Sequence, residues 1–271
     1  MPRGNKVAAI PNDPLSLFDV RGRTALITGA TGAFGEVAAT TLSRAGCNIV
    51  AAAGGAEKLE AIAEGLRSEG GTVETQALRP NSEENCEKLV NTAIDAFGQL
   101  DILVVASGVN DVDEIEDLTP ERWQAVMDAN VRDPWILCRA AAKVFKKQGK
   151  GRVVLVSSAR SILGHPAGYS AYCPSKSAVD GIIRALGCEW GKSGITVNAI
   201  APTVFRSPLT AWMFADDEKG TTARNGILAR IPIGRLGEPD DLAGPLLFLA
   251  SDASSFMTGQ VVRPDGGYTA G

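Results

Sequence analysis

Short apolar runs recur along the chain, and each is followed by a stretch whose apolar positions return every three or four residues. Arg23–Thr28, Asn48–Ala52, Thr72–Leu78, Asp101–Ala106, Arg152–Ser157, Ile195–Ile200 and Gln260–Arg263 are the runs, rich in Val, Ile, Leu and Ala. Between them the helical period predicts helices over Phe34–Ala45, Glu57–Glu69, Glu83–Phe97, Pro120–Ala129, Pro134–Lys147, Ser175–Gly191 and Pro239–Ser251. In Glu57–Glu69, for example, Leu59, Ile62 and Leu66 share one face. Strands that are apolar throughout, rather than alternating, are buried on both sides, which calls for a parallel sheet between two helical layers. The pattern therefore predicts one α/β domain, a doubly wound seven-stranded parallel sheet over residues 21–271, preceded by an N-terminal arm at 1–20. One stretch breaks the rhythm. Residues 203–230 follow a strand end and carry Trp212, Met213 and Phe214, and a long irregular segment there reads as a substrate lid.

Composition narrows the chemistry. With 271 residues and 45% hydrophobic content there is ample material for one large core. A net charge of −4 offers no basic face to a nucleic acid. No apolar run approaches the roughly 18 residues that span a bilayer. The first twenty residues carry prolines and an Asn-Asp-Pro stretch in place of an apolar signal core, so a cytoplasmic location is expected. The single histidine, His165, rules out a multi-histidine metal centre, and no metal site is expected. No Gly-x-Ser-x-Gly elbow seats a hydrolase serine. The five cysteines (Cys47, Cys86, Cys138, Cys173 and Cys188) are odd in number and contain no Cys-x-x-Cys pair, which reads as free thiols.

Three features carry chemistry. Thr28-Gly-Ala-Thr-Gly-Ala-Phe-Gly35 links the first strand to the first helix, where small residues let backbone N–H groups and a helix N-terminus approach a pyrophosphate. Tyr172 and Lys176 are four residues apart; on a helix they share a face, and an ammonium beside a phenol would lower its pKa toward neutrality. Ser157 and Ser158 end a strand, and strand carboxyl ends face the ligand crevice in such sheets.

Together with the strand Asp101–Gly108, the Asn130-Val131 pair, Asn198-Ala-Ile-Ala-Pro202 and Pro264-Asp-Gly-Gly267, these motifs resemble, in order and over about residues 23–267, the short-chain dehydrogenases/reductases. These are single-domain Rossmann-fold oxidoreductases. The resemblance implies NAD(P)-dependent interconversion of a secondary alcohol and a ketone. It implies Tyr172 as the acid/base, Lys176 as its partner and as the holder of the nicotinamide ribose, Ser158 on the substrate oxygen, and Asn130 beside a proton-relaying water. Gly29, Thr31, Gly32, Ala33, Phe34 and Gly35 would cradle the pyrophosphate. Ala53, Gly54 and Arg79 would meet the adenosine, Ala106, Ser107 and Gly108 the middle of the cofactor, and Pro202, Phe205 and Ser207 the nicotinamide. A homotetramer with a small-molecule substrate is the family's usual assembly, with helices near 120–147 and 175–191 paired across one interface.

The chain departs from that pattern in several places. Ala33 replaces a glycine, Val105-Ala-Ser-Gly108 replaces Asn-Asn-Ala-Gly, Pro202 is followed by Thr203, and Arg79 stands where an acid usually touches the adenine. At the end of the second strand Ala53-Gly-Gly55 holds neither the Asp of NAD-preferring members nor the Arg of NADP-preferring ones. The missing carboxylate removes repulsion against a 2′-phosphate that Lys58 or Arg79 would have to reach, so NAD and NADP both stay open, with a lean to NADP. Candidate substrate contacts are Ser158, Arg160, His165, Tyr169, Arg206 and Trp212, with either arginine suited to a carboxylate. The opening Leu17–Gly22 and the form of the glycine turn are similar to gluconate- and hexonate-type members, which points to a sugar acid or polyol. Two other readings stand beside this one: a nucleotide-sensing protein without turnover, motivated by the altered turn and adenine positions, and a 3-oxoacyl-carrier ketoreductase.

Overall fold

The computed structural model describes residues 11–208 and 210–271; the first half of the N-terminal arm and Leu209 in the lid segment lie outside the described residues. Strands β1 (Thr24–Thr28), β2 (Asn48–Ala52), β3 (Thr72–Gln76), β4 (Ile102–Val105), β5 (Gly151–Val156), β6 (Ile195–Ile200) and β7 (Val261–Val262) form one sheet in the order 3-2-1-4-5-6-7. Every pairing is parallel, so the doubly wound α/β reading holds. The chain reverses direction across the sheet between β1 and β4, the switch point where such sheets open a crevice.

The helices are α1 (Ala33–Arg44), α2 (Ala56–Ser68), α3 (Glu83–Phe97), α4 (Pro120–Met127), α5 (Asp133–Gln148), α6 (Tyr172–Trp190), α7 (Glu218–Leu228) and α8 (Asp240–Ala250). One core layer packs α1, α2 and α8 residues such as Leu42, Leu59 and Leu246 against one sheet face. The other packs α3, α5 and α6 residues such as Leu89, Phe145 and Ile183 against the opposite face. All of these side chains are buried, as the uninterrupted apolar strands require. The described part of the arm docks on this body: Val20 is buried and the Phe18 ring lies 6.3 Å from that of Phe248 on α8.

Register decides where the site lies. Thr28 stands opposite both Ala52 and Val105, Val105 opposite Leu155, and Val156 opposite Ile200. The strands therefore finish level, and the segments that follow them emerge along one edge.

Most element boundaries shift by one to three residues from expectation, and two of the shifts have a physical cause. The edge strand β3 stops at Gln76, because its partner among the described residues, β2, ends at Ala52 opposite it. Helix α6 begins at Tyr172, not Ser175. Pro174 sits in the first turn, where its missing N–H would have had no intrahelical acceptor, so the helix runs through it.

Candidate active site

The level strand ends build a cleft of about 550 Å³ lined by the β1–α1 turn (Gly29, Thr31, Gly32), Ala53 and Gly54 after β2, Arg79 after β3, and Ala106–Val109 after β4. Gly29 has φ of +67°, and a Cβ there would lie 2.6 Å from the backbone N of Ser107. The turn thus packs directly on the β4 end, and only glycine gives both the backbone conformation and the clearance. Ala33, Phe34 and Gly35 form the first turn of α1, which follows directly on Gly32 in the cleft wall and has no side-chain cap. A groove of small residues closed by a helix N-terminus fits a dinucleotide. Ser107 takes over a brace that the departures from the family pattern put in doubt: its Oγ lies 3.1 Å from Thr28 Oγ1.

At the end of β2 the absent side chain matters. A Cβ at Gly54 would fall 2.4 Å from Arg79 Nε, so Arg79 lies across the glycine backbone. Among the described residues Arg79 has no carboxylate partner. Lys58 is drawn to the same corner, its Nζ donating to the Thr31 carbonyl at 2.7 Å.

The start of α6 supplies the second half of the site. Tyr172 and Lys176 lie one turn apart on this helix, with the Lys176 Nζ 5.5 Å from the phenol ring centroid. Lys176 is buried, donates to the Val156 carbonyl at 2.9 Å, and has its pKa pushed down to about 8 by that burial. Asp180, one turn further along and also buried, opposes the shift and accepts from Ser157 Oγ at 2.5 Å. The phenol does not shift in the direction the spacing alone suggested. Burial raises the Tyr172 pKa above the ordinary value, with the Ser158 hydroxyl and the Arg160 charge acting the other way. Desolvation of the would-be phenolate outweighs its neighbours in the chain alone.

Asn130 is buried in a short π-helical segment, Asp128–Arg132, between α4 and α5. Its Oδ1 accepts from the Val109 N–H at 2.8 Å, and its Nδ2 donates to the Val109 carbonyl at 2.8 Å and to Ser175 Oγ at 3.0 Å. Ser175 Oγ in turn donates to the Tyr172 carbonyl at 2.7 Å. The side chain is a strut between the β4 end and α6. A relayed water would have to meet this segment's backbone.

Of the substrate candidates, His165, Tyr169 and Tyr172 stand together: ring centroids are 4.4 Å apart for the first pair and 5.9 Å for the second. The His165 Nδ1 accepts from the Ala167 N–H at 3.1 Å, which leaves Nε2 as the donor of the neutral ring. Burial, then the Arg160 charge, lower its pKa. Ser158 Oγ accepts from the Arg160 N–H at 3.1 Å. Arg206 is engaged elsewhere: it is 2.9 Å from Glu238 and stacks 3.9 Å from the Phe214 centroid. Trp212 is 43% exposed and faces Lys219. In the segment after β6, Pro202 accepts from the Ala159 N–H, buried Phe205 bridges to Gly237, and Ser207 Oγ lies 2.9 Å from Thr210 Oγ1. Ser175, Asp180 and Tyr268 were not anticipated. Their relevance is a matter of long-range contacts, which no local signal in the sequence announces.

Comparison with known proteins agrees with this construction. The family model described as enoyl-(acyl carrier protein) reductase matches residues 29–269. An uncharacterized oxidoreductase of Mycobacterium tuberculosis is 50% identical over 262 residues, covering 96% of each chain. A 2-dehydro-3-deoxy-D-gluconate 5-dehydrogenase of Dickeya dadantii is 36% identical over 262 residues, 94% of this chain and 99% of the other. A solved gluconate 5-dehydrogenase of Burkholderia cenocepacia, in complex with NADP and tartrate, superposes with a TM-score of 0.88 at 29% identity, covering 96% of this chain and all of the other. The chain belongs to the short-chain dehydrogenases/reductases. It is an NAD(P)-dependent oxidoreductase of that family, acting between a secondary alcohol and a ketone.

Proposed function

We propose that Tyr172, Ser158 and Lys176 perform the reaction at the mouth of the cleft, on a sugar acid or polyol, with NADP as the preferred cofactor. The observation that carries this reading is that Lys176, one turn into α6, donates to Val156 at the β5 end and has its Nζ 3.8 Å from where a Cβ at Gly108, in the cleft wall, would stand. When bound, the nicotinamide supplies or accepts the hydride. In reduction, the Tyr172 hydroxyl gives its proton to the substrate oxygen while the Ser158 hydroxyl donates a hydrogen bond to the same oxygen. In oxidation the proton returns to Tyr172. The raised phenol pKa suits the acid role. Lys176, anchored on Val156, is placed to donate to the ribose hydroxyls.

The preference for NADP is supported by Arg79 lying free across Gly54, by Lys58 beside the turn, and by the lack of a carboxylate at the end of β2. The sugar-acid reading is supported by the named relatives. Residues 203–230, with the helical turn Ala211–Phe214 and α7, would act as the lid. Exposed Trp123 on α4 and Trp135 on α5 support association into a homotetramer, and five unpaired cysteines support a reducing, cytoplasmic setting. Among the described residues no helix is long and apolar enough to cross a membrane. Fluorescence titration with NADPH and NADH, followed by turnover on hexonates, polyols and simple ketones, tests the reading. Binding of neither cofactor would overturn it.

A further inference from the structure

The lid arginines are mostly neutralised where they stand. Arg206 pairs with Glu238, Arg224 with Asp216, and Arg235, just past the lid, with Asp241. Two others are not. Among the described residues neither Arg160 nor Arg230 has a carboxylate partner, yet both guanidinium groups gather at one ring, 5.5 Å and 4.9 Å from the centroid of Tyr268.

The arrangement is built rather than loose. Arg160 donates from Nη2 to the Tyr268 hydroxyl at 2.9 Å and from Nη1 to the Gly164 carbonyl at 2.8 Å. Tyr268 is only 4% exposed and packs with Ala159, Ile231 and Leu236 beneath the lid. Its backbone is fixed by Asp265, which accepts from the N–H groups of Gly267 and Thr269 at 2.9 and 3.0 Å. Arg160 is two residues beyond Ser158, and its backbone N–H donates to the Ser158 Oγ. Two cations thus meet at Tyr268, which packs on Ala159, the residue after Ser158, and among the described residues no carboxylate offsets their repulsion. The phenol orients one of them and gives both a π face.

We propose that Arg160 and Arg230, aligned by Tyr268 from the C-terminal tail, form a clamp that selects substrates carrying a carboxylate. The clamp deepens the oxidoreductase reading above and rests on it for its place in the reaction. Tyr268 is a positioning residue: it touches the arginine, and the arginine takes the substrate. A planar guanidinium suits a carboxylate better than a lysine would, and the clamp replaces a part of the hydration the carboxylate loses on entry.

The test compares D-gluconate with D-glucitol, its neutral counterpart, and with D-glucitol 6-phosphate. Binding is read by calorimetry on the full chain and turnover by the nicotinamide absorbance. The expected result is that the wild-type protein prefers gluconate and that Arg160→Gln and Arg230→Gln each cut the gluconate-to-glucitol ratio by about 10- to 100-fold. Tyr268→Phe, which keeps the ring, is expected to lower the same ratio through KM more than through kcat, and Arg160→Lys to restore part of it. A general structural role for these residues would lower all three ligands together, and that result overturns the proposal. A wild-type protein with no preference for gluconate overturns it too, as does an arginine-dependent preference for the phosphate ester. If gluconate binds in the arginine-dependent way but no substrate turns over, the clamp stands and the oxidoreductase reading fails.

Discussion

Replacing Asn130 with alanine should loosen the site from beneath while leaving its surface residues in place. The side chain is 1% exposed and makes three hydrogen bonds, two to Val109 after β4 and one to Ser175 on α6. Each such bond is worth about 1 kcal/mol, and an orphaned polar partner adds to the loss. Val109 is 42% exposed, so water reaches its backbone groups and offsets some of that addition. The sum is about 2–4 kcal/mol, or a fall in Tm of roughly 5–15 °C for a domain of this size. The strut also ends, through Ser175, on the carbonyl of Tyr172. Small displacements of a reacting group are costly, so turnover should fall by about 10- to 100-fold. Cofactor affinity should fall less, since Asn130 does not line the glycine turn. Asn130→Asp keeps an acceptor for the Val109 N–H but sets a carboxylate against the Val109 carbonyl and Ser175, and should be no better than alanine. Thermal melts by circular dichroism and single-turnover kinetics read these outcomes. An alanine variant that melts within about a degree of the wild type and turns over at full rate would refute the strut.

Arg79→Gln should weaken NADPH binding by about 10- to 100-fold and NADH binding far less, since one charge-assisted contact to phosphate is lost. Gly54→Asp should reverse the preference, because its Cβ displaces Arg79 and its carboxylate repels a 2′-phosphate; fluorescence titrations with both cofactors check the pair. Lys176 is held at about 8 in the fold against 10.5 for the free side chain. Between those values the unfolded chain holds more protons, so this group's contribution to stability rises with pH and is lost as pH falls through about 8. Urea midpoints of the wild type and of Lys176→Met should therefore diverge in favour of the wild type from pH 8 to 10, and a flat or opposite difference would count against a buried lysine.

Much of the architecture was legible because burial leaves a local mark. Strands covered on both faces must be apolar along their whole length, and β1, β4, β5 and β6 are buried from end to end, or nearly so. The glycine turn was legible for a similar reason, since Gly29 answers a local demand of the backbone. What the sequence hid depends on distance or balance. The start of α6 at Tyr172 rests on Pro174 falling in a first turn. The phenol's pKa depends on how much water its pocket excludes, and that outweighs the lysine spacing. The roles of Asn130 and Tyr268 rest on partners 45 and 108 residues away. Arg206 and Arg160 looked alike as free cations in sequence; only the fold shows that one meets Glu238 while the other meets a phenol.

The most direct test of the central claim is NADPH-dependent turnover of a ketone panel by the wild type and by Tyr172→Phe, alongside cofactor titration of both. The variant should bind the cofactor as the wild type does while its turnover falls by roughly 1,000-fold or more, since the proton donor is gone and the ring remains. A phenylalanine variant that keeps its turnover, or a wild-type chain that binds neither NADPH nor NADH, would contradict it.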